Sequence, residues 1–187
     1  MTKKFWQSPS IALLTAGAVV CAMTAPELAY AQQKKKDPSE QAVLLGQFGD
    51  WGAYTATPGG KKVCFALSKP TAASTEPAGR NRDASYAFVS TRPSEKVKNE
   101  VSVIVGYPQK PGHDASAAIG AASYVMYTQN DGAWVKNAAE EAQMIEAMRK
   151  GAELVVKSES SRGTKTTDTY SLKGIAEALD KVAAECK

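Results

Sequence analysis

Val97-Lys98-Asn99-Glu100-Val101-Ser102-Val103-Ile104-Val105-Gly106-Tyr107 places Val97, Val101, Val103, Val105 and Tyr107 on one face of an extended chain, with only Asn99 breaking the row. Side chains alternate faces in a strand, so this period of two predicts a strand, and one of this length belongs in a sheet. The same alternation recurs upstream. Ser85 to Thr91 holds Tyr86 and Phe88 on one face with Ala87 and Val89 on the other, and Lys62 to Ser68 separates Val63, Phe65 and Leu67 from Cys64 and Ala66. Earlier still, Val43-Leu44-Leu45, Phe48, Trp51 and Tyr54 precede a Pro58-Gly59-Gly60 turn and read as strand. Lys69 to Asp83, rich in Pro, Ala, Ser and Gly, reads as an exposed, mobile loop. Downstream, a Pro108 to Ser116 loop leads to short apolar stretches at Ala121 to Tyr127 and Ala133 to Val135, joined through Gln129-Asn130-Asp131-Gly132, a hairpin signal.

Helices enter only after the last proline, Pro111. Asn137 with Glu140 three positions on resembles a capping box, opening a helix that runs to Lys150 and stops at Gly151, with Met144, Ile145 and Met148 on its apolar side. Ala152 to Lys157 and Thr164 to Tyr170 then form a hairpin around Ser160-Ser161-Arg162-Gly163, in which Arg162 and Asp168 are placed to pair. Tyr170 ends a mostly polar strand and is expected to bury its ring where sheet meets helix. Ser171 is expected to cap a final helix over 171–186, in which Leu172, Ile175, Leu179, Val182 and Cys186 form one stripe.

The 187 residues, 43% hydrophobic and 22% charged, describe a globular chain and exclude a disordered polymer, a collagen-like fibre and a polytopic membrane protein. Lys3 and Lys4 precede the apolar stretch Ile11 to Met23, and Ala29-Tyr30-Ala31 supplies small residues, so residues 1–31 read as a signal peptide cleaved between Ala31 and Gln32. The apolar stretch is shorter than the ~20 residues a spanning helix needs. A retained anchor and a lipid-modified Cys21 are the rival readings. Residues 32–41 form a polar leader, and 42–187 a single domain. With Lys3, Lys4 and Glu27 removed, the net charge falls from +4 to +3, without the concentrated basic face of a nucleic-acid binder. No stable membrane insertion is expected after processing.

Two cysteines remain after processing, Cys64 and Cys186. Export to an oxidising compartment, an even count and inward-facing positions predict that they form one disulfide. Other chemistry is scarce. His113 is the sole imidazole, and its neighbours Asp114 and Ser116 are too close in sequence to converge readily on it in a loop. No phosphate loop, dinucleotide fingerprint or metal-ligand spacing occurs, so neither a cofactor nor a metal is expected. Glu140 and Glu141 are expected to stabilise a helix dipole. Trp51 and Trp134, both in apolar strand contexts, are assigned to core packing, with a carbohydrate or peptide platform as the alternative.

Phe48-Gly49-Asp50-Trp51, Cys64, the run Met148 to Val156 and the longer run Ser161-Arg162-Gly163-Thr164-Lys165-Thr166-Thr167-Asp168-Thr169-Tyr170-Ser171-Leu172-Lys173-Gly174 resemble the invasion-associated locus B (IalB) family of Gram-negative envelope and secreted proteins. The resemblance covers most of residues 42 to 186. It implies a mainly β fold, an immunoglobulin-like antiparallel β-sandwich with two peripheral α-helices (137–150 and 171–186), located in the periplasm or beyond. Trp51, Arg162, Gly163, Asp168, Tyr170 and Gly174 match its structural motif, and no catalytic residue is implied. The combined expectation is an exported, non-enzymatic protein whose ligand is an envelope component, another protein or a host surface. A periplasmic hydrolase using His113 is the competing reading.

Overall fold

The computed structural model describes residues 41–187. The expected signal peptide, its expected cleavage between Ala31 and Gln32, and residues 32–40 of the expected leader lie outside the described residues. Eleven strands and two helices follow in the order β1 (Val43–Phe48), β2 (Trp51–Ala56), β3 (Val63–Ser68), β4 (Ala72–Glu76), β5 (Tyr86–Arg92), β6 (Val97–Ile104), β7 (Ala115–Ile119), β8 (Ala122–Gln129), β9 (Gly132–Val135), α1 (Ala138–Lys150), β10 (Glu153–Glu159), β11 (Lys165–Ser171) and α2 (Ile175–Glu185). The strands pair antiparallel in one ladder ordered β1-β2-β3-β5-β6-β9-β8-β7-β10-β11-β4.

Strands far apart in that ladder nevertheless touch. Trp51 on β2 donates its indole N–H to the Ser171 carbonyl on β11 at 2.8 Å, and the Tyr107 hydroxyl beyond β6 lies 2.5 Å from Thr166 Oγ1 on β11. The ladder is therefore bent, and side chains from both its arms share one buried cluster with the two helices. The mainly β, antiparallel fold with two peripheral helices is the expected one, and its facing layers are arms of a continuous sheet.

Alternation decides which side chains enter that core. Val101, Val103 and Val105 face inward with Cys64, Ala66, Ala87 and Val89, while Phe65, Leu67 and Tyr86 form a separate cluster on the outer face. α2 packs on β1, β2 and β3, and α1 on β6, β8 and β9. The Asn137 side chain accepts the Glu140 N–H at 2.9 Å, and α1 buries Met144, Ile145 and Met148, as its sequence predicts.

Three departures have local causes. Within the expected loop from Lys69 to Asp83, Ala72–Glu76 is a strand, held by backbone pairing to β11 from Thr169↔Ala72 to Lys165↔Glu76. Its side chains are mostly exposed, so no apolar period announces it. Ala115–Ile119 is likewise a strand rather than the end of a loop, its Ala115, Ala117 and Ile119 turned inward. Ser171 does not cap α2: it ends β11, and its hydroxyl accepts the Lys173 N–H at 3.2 Å. The helix starts at Ile175 behind Gly174, whose φ of 90° lies in the left-handed region that only glycine adopts without strain. A Cβ there would also collide with the Phe48 carbonyl.

Candidate functional site

Of the sequence-matched motif residues, Trp51, Tyr170 and Gly174 lie where β2 meets the end of β11, whereas Arg162 and Gly163 lie at the opposite end of that strand. Cys64 on β3 and Cys186 after α2 form a disulfide across 122 residues of chain, with Cα atoms 5.9 Å apart. Trp51 is fully buried, and the Asp50 N–H donates to the Lys173 carbonyl at 3.0 Å. The Phe48–Trp51 turn thus closes on the Tyr170–Gly174 run. Arg162 and Gly163 sit in the β10–β11 turn, where the Gly163 N–H donates to the Ser160 carbonyl at 2.8 Å.

Asp168 does not pair with Arg162. It is 1% exposed on the inner face of β11, and its carboxylate receives two bonds from the Arg82 guanidinium, one of them 2.8 Å from Nη1 to Oδ2. Burial alone would lower the pKa of Arg82, but its bonds to Asp168 outweigh that and hold it above its ordinary value. Arg82 also bonds the Val105 carbonyl at 2.9 Å and lies over the Tyr107 ring. Tyr170 is fully buried beside this pair. Its hydroxyl and that of Ser85 are buried without a well-formed hydrogen bond, and burial pushes the phenol above its usual range, with Ser85 pulling the other way. Arg82 lies in the segment read as a loop, so sequence proximity pointed to the wrong partner.

Glu141 does more than sit at a helix start. Its carboxylate accepts the Val101 N–H at 2.7 Å, tying α1 to β6, and burial pushes its pKa up against the effect of that bond. His113 is exposed, its backbone carbonyl accepts the Thr128 hydroxyl at 2.7 Å, and the neighbouring Asp114 carboxylate is held by Lys136.

On the outer face of β8 and β9 the chemistry is of a different kind. Tyr124, Met126, Ala133 and Val135 turn inward, which leaves Val125 (47% exposed), Tyr127 (42% exposed) and half-buried Trp134 outward. Trp134 is therefore not a core residue. It pairs across the ladder with Tyr127, and the two rings stack with centroids 5.6 Å apart and planes inclined by 23°. The indole folds back over Gly132, where a Cβ would strike its six-membered ring, so Gly132 lets the ring lie down on the sheet.

Polar groups frame these rings. Ser102 on β6 is the cross-strand partner of Trp134, and Ser116 on β7 is that of Val125. The ladder register continues to Lys136 beside Val125 and Asp114 beside Tyr127, and the two charges meet at 2.7 Å across β8. Both remain nearly half exposed. An apolar surface of two rings with a cation and a carboxylate at its end can stack on a ligand while exchanging hydrogen bonds with it.

A concavity of about 530 Å³ lies where the end of α1 meets β7 and β10. Ala118, Ile119, Ala147, Gly151 and Val155 line it, with Lys150 and Glu153. Among the described residues no helix is long and apolar enough to cross a membrane, and no group of His, Cys, Asp or Glu side chains is placed to hold a metal ion.

The family model described as "Invasion associated locus B (IalB) protein" matches residues 51–183 of this chain. No curated protein and no solved structure matched it.

Proposed function

Because the chain belongs to the invasion associated locus B family, we propose that it is an exported, non-enzymatic binding protein of the cell envelope, with Tyr127 and Trp134 at the centre of its ligand surface. The observation that carries this reading is the orientation of Trp134: an indole kept against the outer sheet by a glycine and stacked on a second exposed ring. Large aromatic side chains turned to solvent commonly mark binding surfaces, where a ring supplies much contact area with few torsions to fix. Export is supported by the Cys64–Cys186 disulfide, a bond that persists in oxidising compartments. The absence of turnover from this reading rests on Asp114, whose carboxylate serves Lys136.

Co-sedimentation with purified envelope fragments tests the proposal. The wild-type chain should pellet with the fragments and a Tyr127→Ala/Trp134→Ala chain should stay in the supernatant. Equal pelleting of the two would remove the outer face of β8 and β9 from the account, and no pelleting of either would remove the envelope.

A further inference from the structure

We infer that the Tyr127–Trp134 surface takes the sugar rings of a β-1,4-linked N-acetylhexosamine strand, an inference that rests on the binding role proposed above. Four observations select this class of ligand. The two rings stack offset with their planes inclined by only 23°, and Trp134 lies over Gly132 rather than standing off the sheet. They thus form a shelf, which matches the flat C–H face of a pyranose better than a peptide side chain that needs a pocket. An equatorially linked chain is an extended ribbon, able to set one sugar ring on the open face of the stacked pair and its neighbours beside Val125 and the Lys136–Asp114 pair.

The second observation is area. An aromatic side chain offers roughly 150 to 250 Å² in all, and Tyr127 is 42% exposed with Trp134 half-buried. Together with Val125 this comes to far less than the ~800 Å² per partner of a stable protein interface. A ligand one or two sugars wide is the better fit.

The third is the mixture of polar groups. Lys136 and Asp114 form a 2.7 Å pair with both members nearly half exposed, presenting donors and an acceptor together with no excess of either charge. Sugar hydroxyls both donate and accept, so an uncharged polyol can address both members at once, whereas a strongly anionic or cationic ligand would be repelled by one of them. The fourth is Val125, 47% exposed on the same face next to Tyr127 along β8. It offers an apolar seat for an acetamido methyl group. A sugar strand of this composition belongs to the envelope that an exported protein meets, and that is the source to which the inference commits.

The experiment is a calorimetric titration of the purified, oxidised chain with chitotetraose, and in parallel with an N-acetyllactosamine tetrasaccharide of the host-surface type. Chitotetraose should bind with a Kd on the order of 1 mM or tighter, as befits an open shelf, and more tightly than the lactosamine. Trp134→Ala should weaken it by about tenfold or more, Trp134→Phe by less, and Asp114→Asn to a degree between the two. Each variant is first checked for an unchanged melting curve, so that lost binding is not lost folding. No heat from chitotetraose at millimolar concentration would overturn the sugar inference, as would tighter binding of the lactosamine. If chitotetraose fails while Tyr127→Ala/Trp134→Ala still abolishes envelope co-sedimentation, the sugar class is wrong and the surface stands. If neither sugar nor envelope binding depends on these rings, both readings fall together.

Discussion

Two tryptophans in similar apolar stretches end on opposite sides of the sheet. Trp51 begins β2 facing inward, fully buried, with its indole N–H satisfied by the Ser171 carbonyl at 2.8 Å. Trp134 sits on β9 facing outward, flat over Gly132 and stacked on Tyr127. The two ion pairs repeat the contrast. Asp168 and Arg82 are almost wholly removed from water, whereas Asp114 and Lys136 stand nearly half in it. Identical chemistry is structural on one face and available on the other. In a strand, moving one position along the chain changes the face, so the parity of a residue decides which role it takes.

The inner face should therefore govern stability and the outer face binding, and perturbations can be ranked to break that division. The largest effect is expected from the disulfide, because closing a loop of 122 residues removes about 4 to 5 kcal/mol of unfolded-chain entropy in the usual model. Hydrogen exchange with and without reductant should show α2 losing protection first, with β3, β5 and β6 closer to native. Equal loss across α2 and these strands would mean that the domain opens as one unit.

Next comes Asp168→Ala, which leaves the Arg82 guanidinium buried and unpaired and should cost about 3 to 5 kcal/mol in denaturant melts. Arg82→Ala should do comparable damage, and the double variant should cost less than the sum of the two. Tyr170→Ala, on the order of 3 kcal/mol, should not exceed Asp168→Ala. If it does, the charge pair is weaker than its burial implies. Glu141→Ala should cost about 1 to 3 kcal/mol, since it strips the Val101 N–H of its acceptor. A neutral result would show that water replaces the carboxylate and that α1 is held to β6 by its apolar side alone. Smallest is Lys136→Ala, where an exposed pair contributes up to ~1 kcal/mol. Its melting curve should barely move, and a large shift would make the outer face structural.

Much of this division was legible in the sequence, and its failures are physical. The runs at Lys62 to Ser68 and Val97 to Tyr107 separated the residues of the two faces because burial imposes a period of two, while which face turns inward is seen only in the structure. Parity of cysteines and the α2 stripe located the disulfide. Trp134 was placed in the core because Ala133 and Val135, its inward neighbours, make the stretch look apolar on both sides. The glycine at 132 was the available signal, since a glycine two residues before an aromatic leaves room for the ring to lie on the strand. β4 was missed because Ala72-Ala73-Ser74-Thr75-Glu76 is an edge strand held by its backbone, which carries no side-chain pattern. Arg82 was missed for a related reason: a contact across 86 residues has no spacing to read. The start of α2 shifted from Ser171 to Ile175 because a serine at a strand end forms a turn bond as readily as a helix cap.

The division between the faces is tested most directly by the indole N–H resonances of the oxidised chain, recorded as chitotetraose is added. The Trp134 signal is predicted to move with saturation while the Trp51 signal, bonded inside to Ser171, stays in place. Movement of Trp51 with Trp134 unmoved would contradict the account and place the ligand surface elsewhere on the molecule.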